Sequence, residues 1–109
     1  MIDSVSDRAD FRAFRSSRQR GSSGPVAVVA VPRLDATRPA VGFALPKRVG
    51  SAVARNRARR RLRAICRELV RSNELPAASY LFTVRNDLSM ISAPELRQHV
   101  LGAIERAGA

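Results

Sequence analysis

Ten of the twenty basic residues lie between Lys47 and Arg71, and a single acid, Glu68, interrupts them. That stretch carries +9 of the formal charge of +11, while the segments on either side nearly balance. Positive charge focused in this way draws a polyanion and gains free energy as counterions leave the phosphates it neutralises. Nine of the ten cations are arginine, whose planar fork suits bidentate contact with phosphate and base edges better than a lysine point charge. The pattern points to nucleic-acid binding.

Other chemistry is sparse. His99 is the only histidine and has no cysteine or carboxylate cluster beside it in sequence. Cys66 is the only cysteine, so no internal disulfide is expected, in keeping with a reducing compartment. At the edge of an apolar stripe it reads as a small buried filler. No glycine-rich phosphate loop, zinc-type spacing or nucleophile–base pair is recognisable, so neither a metal site nor a catalytic residue is expected on the chain. A charged helix is often only a solvated face laced with i,i+4 ion pairs, but here the arginines have one acid among them.

A chain of 109 residues with 45% hydrophobic content supports one modest core and is too apolar for a disordered basic tail. No apolar run reaches bilayer length, so no membrane association is expected. The first residues mix Asp3, Asp7 and Asp10 with Arg8 and Arg12, unlike a secretory signal or an acid-poor mitochondrial presequence. Residues 1–6 are expected to be a flexible N-terminus, and 7–109 a single domain.

Periodicity predicts a short amphipathic helix over 7–17, with Ala9, Phe11, Ala13 and Phe14 among arginines, broken at Gly21-Ser22-Ser23-Gly24-Pro25. Phe11 and Phe14 are either packing residues or an apolar platform for a base. Val26–Val31 reads as a buried strand, residues 34–39 as a hairpin-type connection, and Ala40–Leu45 as a second strand stopped by Pro46. Ser51 is a good N-cap for a long helix running to about Ser72. In it Ala58, Leu62, Ile65 and Leu69 share an arc of roughly 60°, and Asn56, Arg60, Arg63, Arg67 and Arg71 gather opposite. Tyr80–Val84 is a third strand, its aromatic residues Tyr80 and Phe82 expected in the core. Ser92-Ala93-Pro94-Glu95 resembles a capping box opening a last helix with the stripe Leu96, Val100, Ala103, Ile104 and Ala107. The order αββαβα implies an α+β domain, a central sheet with helices packed on it.

The run from Gly42 to Arg63, with Lys47-Arg48-Val49-Gly50-Ser51-Ala52-Val53 followed by Arg55-Asn56-Arg57 and a basic helix, resembles the signature of the bacterial ribonuclease P protein component. The likeness extends over roughly 7–108. Ser51 stands where that family usually has Asn, Pro46 where it usually has Ser, and Val29 where some members have Tyr. The resemblance implies a fold like that of the second domain of ribosomal protein S5, with a left-handed crossover between parallel strands. It implies a non-catalytic protein subunit of a ribonucleoprotein endoribonuclease that removes the 5′ leader of precursor tRNA. The partners implied are the catalytic RNA subunit and precursor tRNA, with no protein partner required. Mg²⁺ would be held mainly by the RNA, and the location would be cytoplasmic. By the same resemblance, Lys47, Arg48, Arg55, Asn56 and Arg57 would face the catalytic RNA and Arg59, Arg60 and Arg63 would lie toward the leader; Arg61 and Arg67, on the same basic helix, are expected to meet RNA as well. A leader-binding cleft would draw on Phe11, Phe14, Ala27, Val29, Arg59 and Arg63.

Three other readings fit parts of the pattern. A ribosomal-type RNA-binding protein would carry the same charge without a leader cleft. A zipper-type DNA-binding helix would need a heptad after Arg71, where Pro76 instead ends the helix. An independent nuclease would need an acid cluster to hold a metal.

Overall fold

The computed structural model describes residues 3–4, 8–32 and 38–108, with side chains described from residue 12 onward. Strands β1 (Asp3–Ser4), β2 (Gln19–Ser23), β3 (Val26–Pro32), β4 (Ala40–Ala44) and β5 (Ala78–Val84) form one mixed sheet in the order β1-β4-β5-β3-β2. Helices α1 (Arg8–Ser16), α2 (Ala52–Arg71) and α3 (Ala93–Arg106) pack on it, and a single 3-10 turn, Lys47–Val49, leads into α2. The fold is the expected small α+β domain.

β5 occupies the middle of the sheet, antiparallel to β3 and parallel to β4. The segment between β3 and β4 is therefore not a hairpin connection, because β5 separates the strands it joins; residues 33–37 themselves lie outside the described part. The hairpin lies one step earlier. β2 pairs with β3 around Gly24-Pro25, in the stretch expected only to break the first helix. Gly24 sits at φ +55°, the left-handed conformation a tight turn demands. Of the segment expected to be flexible, Asp3–Ser4 pairs in parallel with Ala40–Val41.

Alternation divides the sheet into two unequal faces. Val26, Val28 and Ala30 of β3, Val41 of β4, and Tyr80, Phe82 and Val84 of β5 point into the core beneath α2 and α3. The stripes expected on both helices supply the other half, Ala58, Leu62, Ile65 and Leu69 from α2 and Leu96, Val100, Ala103, Ile104 and Ala107 beyond it. Phe82 stacks between Phe43 and Tyr80 at centroid distances of 5.9 and 6.1 Å, and the Tyr80 hydroxyl donates to the Pro76 carbonyl at 2.7 Å. Ser51 caps α2 by accepting from the Ala54 amide, and Ser92 caps α3 by accepting from that of Glu95. The opposite face, with Ala27, Val29, Leu81 and Thr83, is only half-buried, so β3 is not the doubly buried strand its composition suggested. α1 lies on that face.

Candidate nucleic-acid interface

Burying one edge of α2 against the sheet turns its remaining circumference outward. Arg57, Arg60, Arg67 and Arg71 are exposed, as are Lys47 and Arg48 on the turn before the helix. The side chains of Lys47, Arg48, Arg57, Arg60 and Arg67 take no hydrogen bond or ion pair among the described residues, so their charge faces water without an internal counterion. Asn56 is exposed and accepts from Arg59 Nη1 at 2.8 Å, which orients that guanidinium along the helix.

Three of the arginines are placed differently. Arg61 donates from Nη1 to the Leu88 carbonyl at 2.7 Å and from Nη2 to that of Ile91 at 2.5 Å, clamping the loop between β5 and α3 onto α2. Its fork is already occupied, which the spacing of the arginines could not disclose. Arg55 is half-buried, with Nε shielded from water and without a partner among the described residues. Arg63 lies 5.5 Å from the Phe43 ring centre, a cation–π contact on the core side of the sheet.

That placement corrects the expected leader cleft. Phe43 pairs with Phe82 on the α2 face, whereas Val29 pairs with Leu81 on the other, so Arg63 and Ala27 or Val29 stand on opposite sides of the sheet. Arg59, one turn before Arg63 on α2, is separated from those β3 residues in the same way. Phe14 does reach the open face, where it borders a depression of about 310 Å³ with Arg15, Arg20, Val29 and Leu81. It is only 2% exposed, however, so its ring packs under α1 and presents no free stacking platform. The side chain of Phe11 lies outside the described residues. A larger neighbouring depression of about 490 Å³ is lined by Arg20, Ser22, Ala27, Val29, Thr83 and Arg85.

The open face thus has its own cations, which form no cluster in the sequence because they are scattered along the chain. Arg20 also holds the end of α1, donating to the carbonyls of Phe14 at 2.9 Å, Arg15 at 3.1 Å and Ser17 at 2.9 Å. Arg106 donates to the Ser22 carbonyl at 2.7 Å and ties α3 to β2.

The titratable groups away from this surface are structural. Burial pushes the Cys66 thiol up to about 12, against the lowering influence of Arg63. His99 meets Ser23 through Nδ1 at 3.0 Å and fills the space beneath Gly24. Among the described residues, no three His, Cys, Asp or Glu side chains gather as a metal site, and no helix is long and apolar enough to cross a membrane.

Fold and surface together define a small basic α+β protein, with an arginine helix on one side of its sheet and an open apolar floor on the other. The chain belongs to the Ribonuclease P family, which it matches over residues 3–108. It is 31% identical over 112 residues to the ribonuclease P protein component of Paramagnetospirillum magneticum, covering 99% of this chain and 84% of that one. With the component from Thermus aquaticus it shares 37% over 97 residues, 89% of this chain but only 57% of that longer protein. The fold matches a Staphylococcus aureus RNase P protein mutant with a TM-score of 0.80 at 17% identity, covering 96% of this chain and 87% of that one.

Proposed function

We propose that this chain is the protein subunit of ribonuclease P, binding a catalytic RNA subunit and precursor tRNA in the cytoplasm and assisting removal of the 5′ leader. The observation that carries the reading is the solvent side of α2, where exposed arginines without internal counterions continue from Arg55-Asn56-Arg57, in a chain that matches the family over residues 3–108. An RNA backbone is the polyanion that such a surface neutralises best. The half-buried floor of Ala27, Val29 and Leu81, edged by Arg15, Arg20 and Arg85, suits a single-stranded leader, which offers both phosphates and apolar base faces. In this reading the RNA supplies the Mg²⁺-dependent chemistry, and the protein contributes binding and positioning.

The test is reconstitution. Purified chain added to a bacterial catalytic RNA and precursor tRNA at low Mg²⁺ is expected to restore leader cleavage that the RNA alone performs poorly. Absence of stimulation, or metal-dependent cleavage by rigorously RNA-free protein, overturns the proposal.

A further inference from the structure

Beside the exposed arginines, a pocket of about 220 Å³ opens between the first turns of α2 and the loop after β5. Its lining includes Ala54, Arg57 and Arg61 from the helix and Asp87, Leu88 and Ser89 from the loop. Asp87 is out of character here, because an acid on a phosphate-facing surface repels the ligand that the arginines attract. Nor does it neutralise them. Asp87 accepts the Ser89 amide at 2.8 Å through Oδ1 and forms no ion pair with Arg57 or Arg61, while Arg57 has no partner among the described residues. Asp87 is exposed and lines the pocket, and its second carboxylate oxygen takes no hydrogen bond among the described residues.

A phosphate in this pocket would meet the carboxylate, and a metal cation would meet two guanidiniums. A neutral ligand with hydrogen-bond donors on one edge and acceptors on another suits both ends. The volume equals about seven waters of bulk liquid, enough for one heterocycle and too small for a duplex. The surroundings are apolar as well as polar. Ala54, Ala58 and Leu88 supply the apolar part of the lining, against which the face of a base can rest.

We infer that this pocket receives one unstacked guanine of a single-stranded RNA, with Asp87 accepting from its N1–H and N2–H₂ and Arg57 donating to O6 and N7. Guanine is the base that presents two adjacent donors to a carboxylate and two adjacent acceptors to a guanidinium fork. The inference rests on the RNA-binding reading above and adds a base preference to it.

The sign of one substitution is diagnostic. Removing the negative charge of Asp87 should tighten RNA binding if the residue merely sits near the backbone, and should weaken it if the carboxylate holds a base. The experiment measures binding of the full chain to uridine oligomers carrying one central guanosine, inosine or adenosine. Wild type is expected to favour guanosine about five- to a hundredfold over adenosine, and to lose part of that preference with inosine, which lacks the N2 amino group. Asp87→Ala should abolish the preference. Asp87→Asn, whose side-chain oxygen still accepts the Ser89 amide, should abolish it too with the loop intact, and serves where the alanine variant fails to fold. Equal binding of the three oligomers by wild type, or a guanosine preference that survives in a folded Asp87 variant, overturns the inference. Stimulation of the catalytic RNA is assayed in parallel. Its loss in wild type would sink the functional reading, whereas its persistence without base preference would sink only the pocket.

Discussion

Arg60 and Arg61 adjoin in sequence and do different work. Arg60 is exposed and unpartnered among the described residues, so its replacement changes only the surface. Arg61 supplies charged donors to the carbonyls of Leu88 and Ile91, and its loss leaves both part-buried acceptors wanting. Arg61→Ala is therefore expected to cost about 1.5–3 kcal/mol of stability, since hydrogen bonds to charged groups fall in that range. Arg60→Ala should leave the melting temperature unchanged and lower the salt slope of RNA binding by about 0.7–0.9 for the one phosphate contact removed. Thermal melts and salt titrations of the two variants separate these roles; a destabilised Arg60 variant beside a neutral Arg61 variant would refute the assignment. The residue types alone announced a polyanion-binding surface. They could not say which arginine was engaged, because that depends on a loop some thirty positions away in the chain.

At the scale of elements, the helices were legible because capping and period agree. Ser51 and Ser92 cap where expected, and both apolar stripes are buried. β2 was not legible, because Gln19-Arg20-Gly21-Ser22-Ser23 has neither β-branched residues nor an apolar alternation. Tertiary context makes it a strand: α3 lies so close over it that position 21 has no room for a side chain. A methyl group on Gly21 would collide with the Ala103 carbonyl oxygen and stand 2.5 Å from the Ala107 amide nitrogen, both of them backbone atoms that cannot swing aside. Gly21→Ala should thus push α3 off the sheet and cost about 1–3 kcal/mol or more. For a domain of this size each kcal/mol lowers the melting temperature by roughly 4–8 °C, which a thermal melt resolves. An unchanged melting point would mean that α3 does not ride on β2 as described.

At the scale of the whole molecule, the sheet is a partition. α2 and its arginines occupy one side, and the depressions around Val29 occupy the other. The family resemblance implies a single cleft that combines Arg59 and Arg63 with the β3 residues. Angular position on a helix says which residues share its face, but not which face of the sheet the helix covers. That is decided by the insertion of β5 between β3 and β4, a pairing distant in sequence. The partition has an energetic consequence. Arg60 on α2 and Arg85 at the edge of the open face share no partner among the described residues and face different surroundings, so their effects on binding should be independent. Arg60→Ala is expected to weaken binding of the catalytic RNA, and to weaken precursor and mature tRNA equally once the holoenzyme has formed. With the leader on the open face, as proposed above, Arg85→Ala should spare the catalytic RNA and weaken precursor tRNA alone, because mature tRNA has no leader. In the double variant the free-energy losses should add to within about 0.3–0.5 kcal/mol, as for distant sites without shared contacts. Affinities of the four proteins for catalytic RNA, and of the four holoenzymes for both tRNAs, complete the cycle. A larger coupling energy, or an Arg85 variant that loses both tRNAs alike, would mean that the two sides of the sheet serve one continuous RNA surface.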